Sequence, residues 1–232
     1  MKFGYSQPYF IPWPGFFYRA ASVDKFILMD SVQFPRGFTW INRNRIKGKD
    51  GELWLTVPVC RKGKGLQKIN EVEIYYGENW IKKHLHSIKH SYKNSPYFEE
   101  IFPEIERIYL LKRKYLMDFL LPLIELIRNK FKTSNNFLLL SDLGIDGKKE
   151  YLLLNIAEKL GADTIVIHKQ ALSHLNIEVL AKRGLNLEIL KYRHPVYPQL
   201  WGEFLKDLSS LDILFNLGHL AWNTVLKWQK SG

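Results

Sequence analysis

From Phe137 to Leu190 short apolar runs alternate with amphipathic segments that each stop at a glycine, and few folds accept that rhythm. Phe137 to Leu140, Thr164 to His168 and Asn186 to Leu190 read as strands. Lys148 to Leu160 and Ile177 to Arg183 read as helices, ended by Gly161 and Gly184 where a left-handed C-cap needs a residue without Cβ. A βαβαβ series of this kind belongs to a parallel sheet with helices on its faces. The start of the chain repeats the scheme. An apolar strand at Phe3 to Ser6 leads through a loop to a short helix at Phe16 to Ala21, and then to a strand at Lys25 to Met29 that ends at Asp30. The whole is read as a three-layer α/β fold with a mainly parallel sheet.

Two insertions interrupt it. Leu53 to Val59 and Ile69 to Tyr75 read as a β-hairpin turned at Lys62-Gly63-Lys64-Gly65. From Glu78 the period becomes helical, with Ile81, Leu85, Ile88 and Tyr92 on one face, stopped near Asn94-Ser95-Pro96. A longer helical stretch runs from Pro103 to about Phe131, kinked at Pro122, with Ile105, Ile108, Leu111 and Tyr115 on its inner stripe. The loop before the final βαβαβ series is Thr133 to Asn136. Near the end, Ser209-Ser210-Leu211-Asp212 has the form of a capping box opening a last helix of about ten residues.

There is no Gly/Ser linker or internal repeat, and 46% apolar with 14% aromatic residues suits a packed core. One α/β domain over 1–232 is expected, with a β-rich part at 1–77, a helical segment at 78–133 and the βαβαβ part at 134–232. The start carries no continuous apolar signal segment, and the longest greasy run, Phe119 to Ile127, is broken by Pro122 and Glu125, so a cytoplasmic protein without a transmembrane segment is expected. Cys60, the sole cysteine, excludes an intramolecular disulfide.

Charge points to partners. Lys and Arg number 34 against 23 Asp and Glu, a net +11, and the segment from Arg43 to Lys68 supplies +6 of it. Such a patch attracts nucleotide sugars, nucleic acid or anionic lipid head groups, and charge alone does not choose among them.

Candidate site residues follow from topology and chemistry. Pro8, Pro12, Pro14 and Gly15 make the stretch from Gln7 to the helix at Phe16 read as a shaped loop and not as a helix or central strand. In parallel sheets ligands bind beyond the carboxyl ends of strands. Gln7, Tyr9 and Asp30 therefore join Gln33, Asn42, Arg43 and Asn44, whose planar forks suit carboxylates, phosphates and amides, around one expected cleft. Tyr197 and Gln199 lie in a further Pro-flanked loop. On the first of the inserted helices, His90 with Tyr92 could serve as acid or base. His86 and His90 are spaced i, i+4, but no H-E-x-x-H motif accompanies them, and no metal is expected. The glycine-rich dinucleotide fingerprint is absent.

The run Gln7-Pro8-Tyr9-Phe10-Ile11-Pro12-Trp13-Pro14-Gly15-Phe16-Phe17, the Asp30-x-Val32-Gln33-Phe34 run, Asn42-Arg43-Asn44-x-Ile46 and the segment Ser209 to Gly218 together resemble the WbqC-like protein family, bacterial proteins associated with O-antigen and other surface polysaccharides. The resemblance runs nearly end to end. It implies a transferase that adds a small acyl or aminoacyl group, glycyl included, to a sugar or nucleotide sugar; in such a reaction the chemistry of Asp30 or His90 would suit a base. The alternative is a non-catalytic protein that binds RNA or another polyanion; a tRNA-borne donor would join the two. The opening strand, Pro-rich loop and helix also resemble the layout of nucleotidylyltransferases. However, Trp13 and Phe16 or Phe17 stand where that loop has its two histidines.

Overall fold

The computed structural model describes residues 1–133 and 137–230; most of the loop expected at Thr133 to Asn136 lies outside the described residues. Two compact units emerge, each assembled from separate stretches of chain. The first comprises Met1–Gln7, Gly15–Ser31 and Ser134–Arg193, and the second Pro8–Pro14, Val32–Thr133 and His194–Gly232.

The first unit is the parallel sheet. Its strands are β1 (Lys2–Ser6), β2 (Lys25–Leu28), β5 (Phe137–Leu139), β6 (Thr164–His168) and β7 (Asn186–Leu190), in the order β5-β2-β1-β6-β7. All four pairings are parallel. The order reverses between β1 and β6. Right-handed crossovers then put α1 (Pro14–Ala21) on one face and α6 (Lys149–Leu160) and α7 (Ile177–Lys182) on the other, the expected three-layer arrangement. Apart from Ser6, the buried side chains of these strands are apolar, with Phe3, Phe26, Ile27, Leu28, Ile165 and Val166 fully enclosed. Gly161, at φ 64°, caps α6 as its position predicts.

The second unit carries an antiparallel hairpin and most of the helices. The hairpin is not where hydrophobicity placed it. It is β3 (Arg43–Gly48) paired with β4 (Gly51–Thr56) around Lys49-Asp50, and Ile69–Glu71 is a 3₁₀ turn. The reason is amphipathicity: Arg43, Arg45 and Lys47 alternate with Asn44 and Ile46, a period of two that an apolarity count overlooks. Only a bridge from Val59 to Ile74 remains of the expected second pairing.

The helices are α2 (Trp80–Tyr92), α3 (Phe98–Leu110), α4 (Leu116–Phe131), α8 (Ser210–Leu217) and α9 (Ala221–Lys230), the last unforeseen. The long helix expected from Pro103 is two helices separated by 111–115, and both Pro103 and Pro122 sit inside regular helix. Because α3 ends at Leu110, its stripe stops short: Leu111 is 52% exposed, while Phe98, Ile101, Ile105 and Tyr109 face inward. On α2 Ile88 and Tyr92 are buried as expected, but the first half of the buried face is shifted by one residue. Trp80, His84, Ile88 and Tyr92 are buried, leaving Ile81 and Leu85 half exposed.

Aromatic packing selects that rotation. Trp80 meets Phe119 edge-on at 5.6 Å and His84 at 5.2 Å, and Tyr109 meets Phe119 edge-on at 5.0 Å. Such ring pairs add roughly 0.5–1.5 kcal/mol each beyond the area they bury. His84 thus becomes a core residue, with Nδ1 3.3 Å from the Tyr109 hydroxyl. Burial drives its pKa down to about 4, against a smaller opposing effect of the Thr56 carbonyl. A depressed histidine stabilises the fold above its unfolded value of 6.5, and the contribution is lost as pH falls through about 4. His84→Phe is therefore expected to flatten the loss of stability between these limits by about 3 kcal/mol, read as the difference between wild-type and variant urea titrations.

Candidate functional site

Gln7 and Asp30 belong to the first unit; Tyr9, Gln33, Asn42, Arg43, Asn44, His90, Tyr92, Tyr197 and Gln199 belong to the second. Within the sheet unit, Ser6 pairs with Leu28, so Gln7 and Asp30 follow adjacent parallel strands at the same carboxyl edge. Asp30 is buried at that edge. Its carboxylate accepts from the Ser141 amide at 3.0 Å and the Ser141 hydroxyl at 2.6 Å. Both oxygens thereby tie the end of β2 to the short helix α5 (Leu140–Leu143) that follows β5, which is the work of a positioning residue.

In the second unit three predicted residues meet around one that was not predicted. Asp212 lies in the first turn of α8 and is fully enclosed. The Tyr92 hydroxyl donates to its Oδ2 at 2.9 Å, and the Tyr197 hydroxyl to its Oδ1 at 2.9 Å. Tyr92 in turn accepts from the Lys47 amide at 3.0 Å. The Lys47 side chain, almost wholly buried, donates to Gln199 Oε1 at 3.2 Å and to the Glu203 carbonyl at 2.5 Å. Desolvation raises the Asp212 pKa against hydrogen bonds from Tyr197 and Tyr92 and the charge of Lys47. Desolvation likewise pushes Lys47 down, with Asp212 opposing. The Tyr92 phenol is held well above its ordinary value by burial and by the neighbouring carboxylate.

This chemistry displaced the expected capping box. Ser209 makes no side-chain cap, and Asp212 spends its oxygens on two tyrosines. A carboxylate embedded in Leu211-Asp212-Ile213-Leu214-Phe215 was the available sign, since an acid inside a fully apolar run must be paired.

The hairpin shows which forks remain open. Asn42 donates to the Val57 carbonyl at 2.9 Å, and Asn44 donates to the carbonyls of Phe10 and Ile11 at 3.0 and 2.8 Å. Asn44 thereby holds Ile11 in its left-handed conformation, φ 44°. Both amides serve the main chain. Gln33 is exposed, and its backbone bridges to Lys68.

Alternation and register place Arg43, Arg45 and Lys47 on one hairpin face, with Glu52, Trp54 and Thr56 opposite them. Enclosure rises along this ladder. Lys47 is buried; Arg45 pairs with Glu52 at 2.5 Å and donates to the Asp207 carbonyl. Arg43 has no ion pair or hydrogen bond among the described residues, and its Nε is buried without a partner. Its guanidinium lies 4.6 Å from the Trp54 ring centre and 5.1 Å from that of Phe38. Trp40 stacks on Trp54 at 5.4 Å, completing an aromatic platform whose Phe38 is 58% exposed.

His90 is exposed on α2, parallel to the Trp201 ring at 6.4 Å. Trp201 donates to the Ser91 carbonyl at 2.7 Å, so the loop that supplies Gln199 to Lys47 also supplies the surface on which His90 rests. His86 stacks on His90, and among the described residues no group of three His, Cys, Asp or Glu side chains is arranged to hold a metal.

Asp212 is expected to couple its two donors. Tyr92→Phe and Tyr197→Phe should each cost about 1.5–3 kcal/mol, the range for a hydrogen bond to a charged group. The double variant should depart from additivity, because the carboxylate left with neither donor is driven towards protonation; a thermodynamic cycle by urea denaturation reads this.

The model of the WbqC-like protein family matches residues 7–224. Among curated proteins the chain is similar to "Uncharacterized protein Rv1507c" of Mycobacterium tuberculosis, 34% identical over 215 residues that cover 91% of this chain and 92% of the relative. No solved structure matches.

Proposed function

The chain belongs to the WbqC-like protein family, and from that membership we propose that it is a transferase of bacterial surface-polysaccharide (O-antigen) biosynthesis, moving a small acyl or aminoacyl group, glycyl among them, onto a sugar or nucleotide sugar. The observation that carries the reading is Arg43. A guanidinium without a counter-ion, held in the corner of two aromatic rings that meet edge-on, has lost part of its hydration and keeps its donor fork, which suits the phosphate of a nucleotide sugar. Phe38 and Trp54 offer ring faces to the base or the sugar.

Acyl transfer then requires the acceptor amine or hydroxyl to attack the donor carbonyl, surrender its proton and expel the leaving group. His90 is the base of this scheme: its ring rests on Trp201, and neither ring nitrogen has a hydrogen-bond partner among the described residues. Lys47, Tyr92, Tyr197, Gln199 and Asp212 hold the loop and the hairpin in register. Asp30 acts as a positioning residue for the sheet edge.

Arg43→Lys keeps the charge and loses the fork. It is expected to weaken a uridine diphosphate amino sugar by about 1.5–3 kcal/mol in calorimetric titration, with little change in melting temperature. A lowered melting temperature with unchanged affinity would make Arg43 a structural clamp and end this reading. The exposed Phe38 and Trp54, with the half-buried Trp40 stacked on Trp54, favour a second reading, in which the platform stacks the bases of an RNA or tRNA-borne donor. That binding would weaken steeply with salt and tolerate Arg43→Lys.

A further inference from the structure

The end of α3 and the loop after it present Leu110 and Leu111, 59% and 52% exposed, directly followed by Lys112, Arg113 and Lys114. A second segment runs beside it. The Ile74 amide donates to the Lys114 carbonyl at 2.9 Å, and the Tyr76 hydroxyl donates to the Arg113 carbonyl at 2.8 Å, which sets Tyr75 and Tyr76, 48% and 39% exposed, against the same loop. Scattered exposed leucines are ordinary on a protein surface. Two leucines and two tyrosines gathered around three cations are not.

Next to this patch opens a cleft of about 740 Å³, with Ile81, Leu85 and Phe102 among its lining and Lys82, Lys89 and Lys112 about it. Glu78 and Glu106 line it too, and Glu73 pairs with Lys64 and Lys114. Lys112 and Arg113 have no ion-pair partner among the described residues, so two cations remain uncompensated beside the leucines.

We propose that this patch docks the protein on an anionic bilayer: Leu110 and Leu111 enter the acyl boundary, Tyr75 and Tyr76 sit at head-group level, and Lys112 and Arg113 meet lipid phosphates. Charge complementarity selects this occupant, because a neutral apolar partner would leave these cations desolvated and unpaired. Neither feature suffices alone. A short apolar insertion gives marginal, reversible membrane binding, and stable attachment takes a second signal such as a basic cluster. Among the described residues no helix is long and apolar enough to cross a membrane, so this attachment lies in the interface plane.

Flotation of the full chain with phosphatidylcholine vesicles, with and without about one-third phosphatidylglycerol, tests the proposal. Binding is expected on the anionic vesicles only. Leu110→Ser with Leu111→Ser should weaken it more than about tenfold, and Arg113→Ala about fivefold. Both sites are exposed, and unchanged circular dichroism of the variants secures the comparison. No binding to anionic vesicles at low salt overturns the proposal. So does binding that responds to Arg113→Ala but not to the leucine pair, which would mark a general polyanion surface. A dimer in sedimentation that the leucine substitutions dissolve, without vesicle binding, would assign the patch to a second copy. Loss of vesicle binding with intact nucleotide-sugar titration keeps this test separate from that of Arg43.

Discussion

The second unit depends on one buried negative charge. Asp212 stands inside an apolar helix turn where an unpaired carboxylate would cost several kcal/mol. Its stability rests on two phenols donated by distant stretches of chain, Tyr92 from α2 and Tyr197 from the loop before α8. Tyr92 passes the constraint on, since its oxygen also receives the Lys47 amide, so the hairpin edge is set by the same carboxylate. Lys47 then carries it into the loop of Gln199 and Glu203. Hydrogen bonds of this kind act together, because each partner's charge or dipole strengthens its neighbour in a low-dielectric interior.

The consequence is a graded enclosure along one strand. Successive cations of β3 differ in enclosure: Lys47 is spent on structure, Arg45 on a carboxylate and a carbonyl, and Arg43 on aromatic rings alone. A cation repeated at every second position is thus enclosed at one end of the strand and left without an ion pair at the other. Guanidinium tolerates this better than ammonium would, since its plane stacks on rings while its edge still donates.

Buried histidine shows a similar economy. His84 sits among Trp80, Tyr109 and Phe119 and is kept neutral by burial, whereas His90, less than two turns further along α2, remains in solvent against Trp201. Six residues of helix move the ring from the packed face to the open one.

Sequence alone determined the parallel sheet. Short apolar strands spaced by amphipathic helices with terminal glycines admit little else, and Thr164–His168 and Asn186–Leu190 are strands at the expected bounds. It also determined that Gln7 and Asp30 share a sheet edge, whereas Tyr92, Tyr197 and Gln199, expected at a substrate, are engaged in hydrogen bonds inside the fold. The hairpin, the rotated face of α2 and the break after Leu110 were decided by tertiary packing, because an amphipathic strand and an aromatic cluster reveal their buried side only when the partner surfaces are present. The same holds for Asp212 and Lys47. Their spacing of well over a hundred residues carries no local period, and only the folded chain brings the Asp212 carboxylate and the Lys47 amide to the same tyrosine hydroxyl and decides which polar groups are consumed by structure.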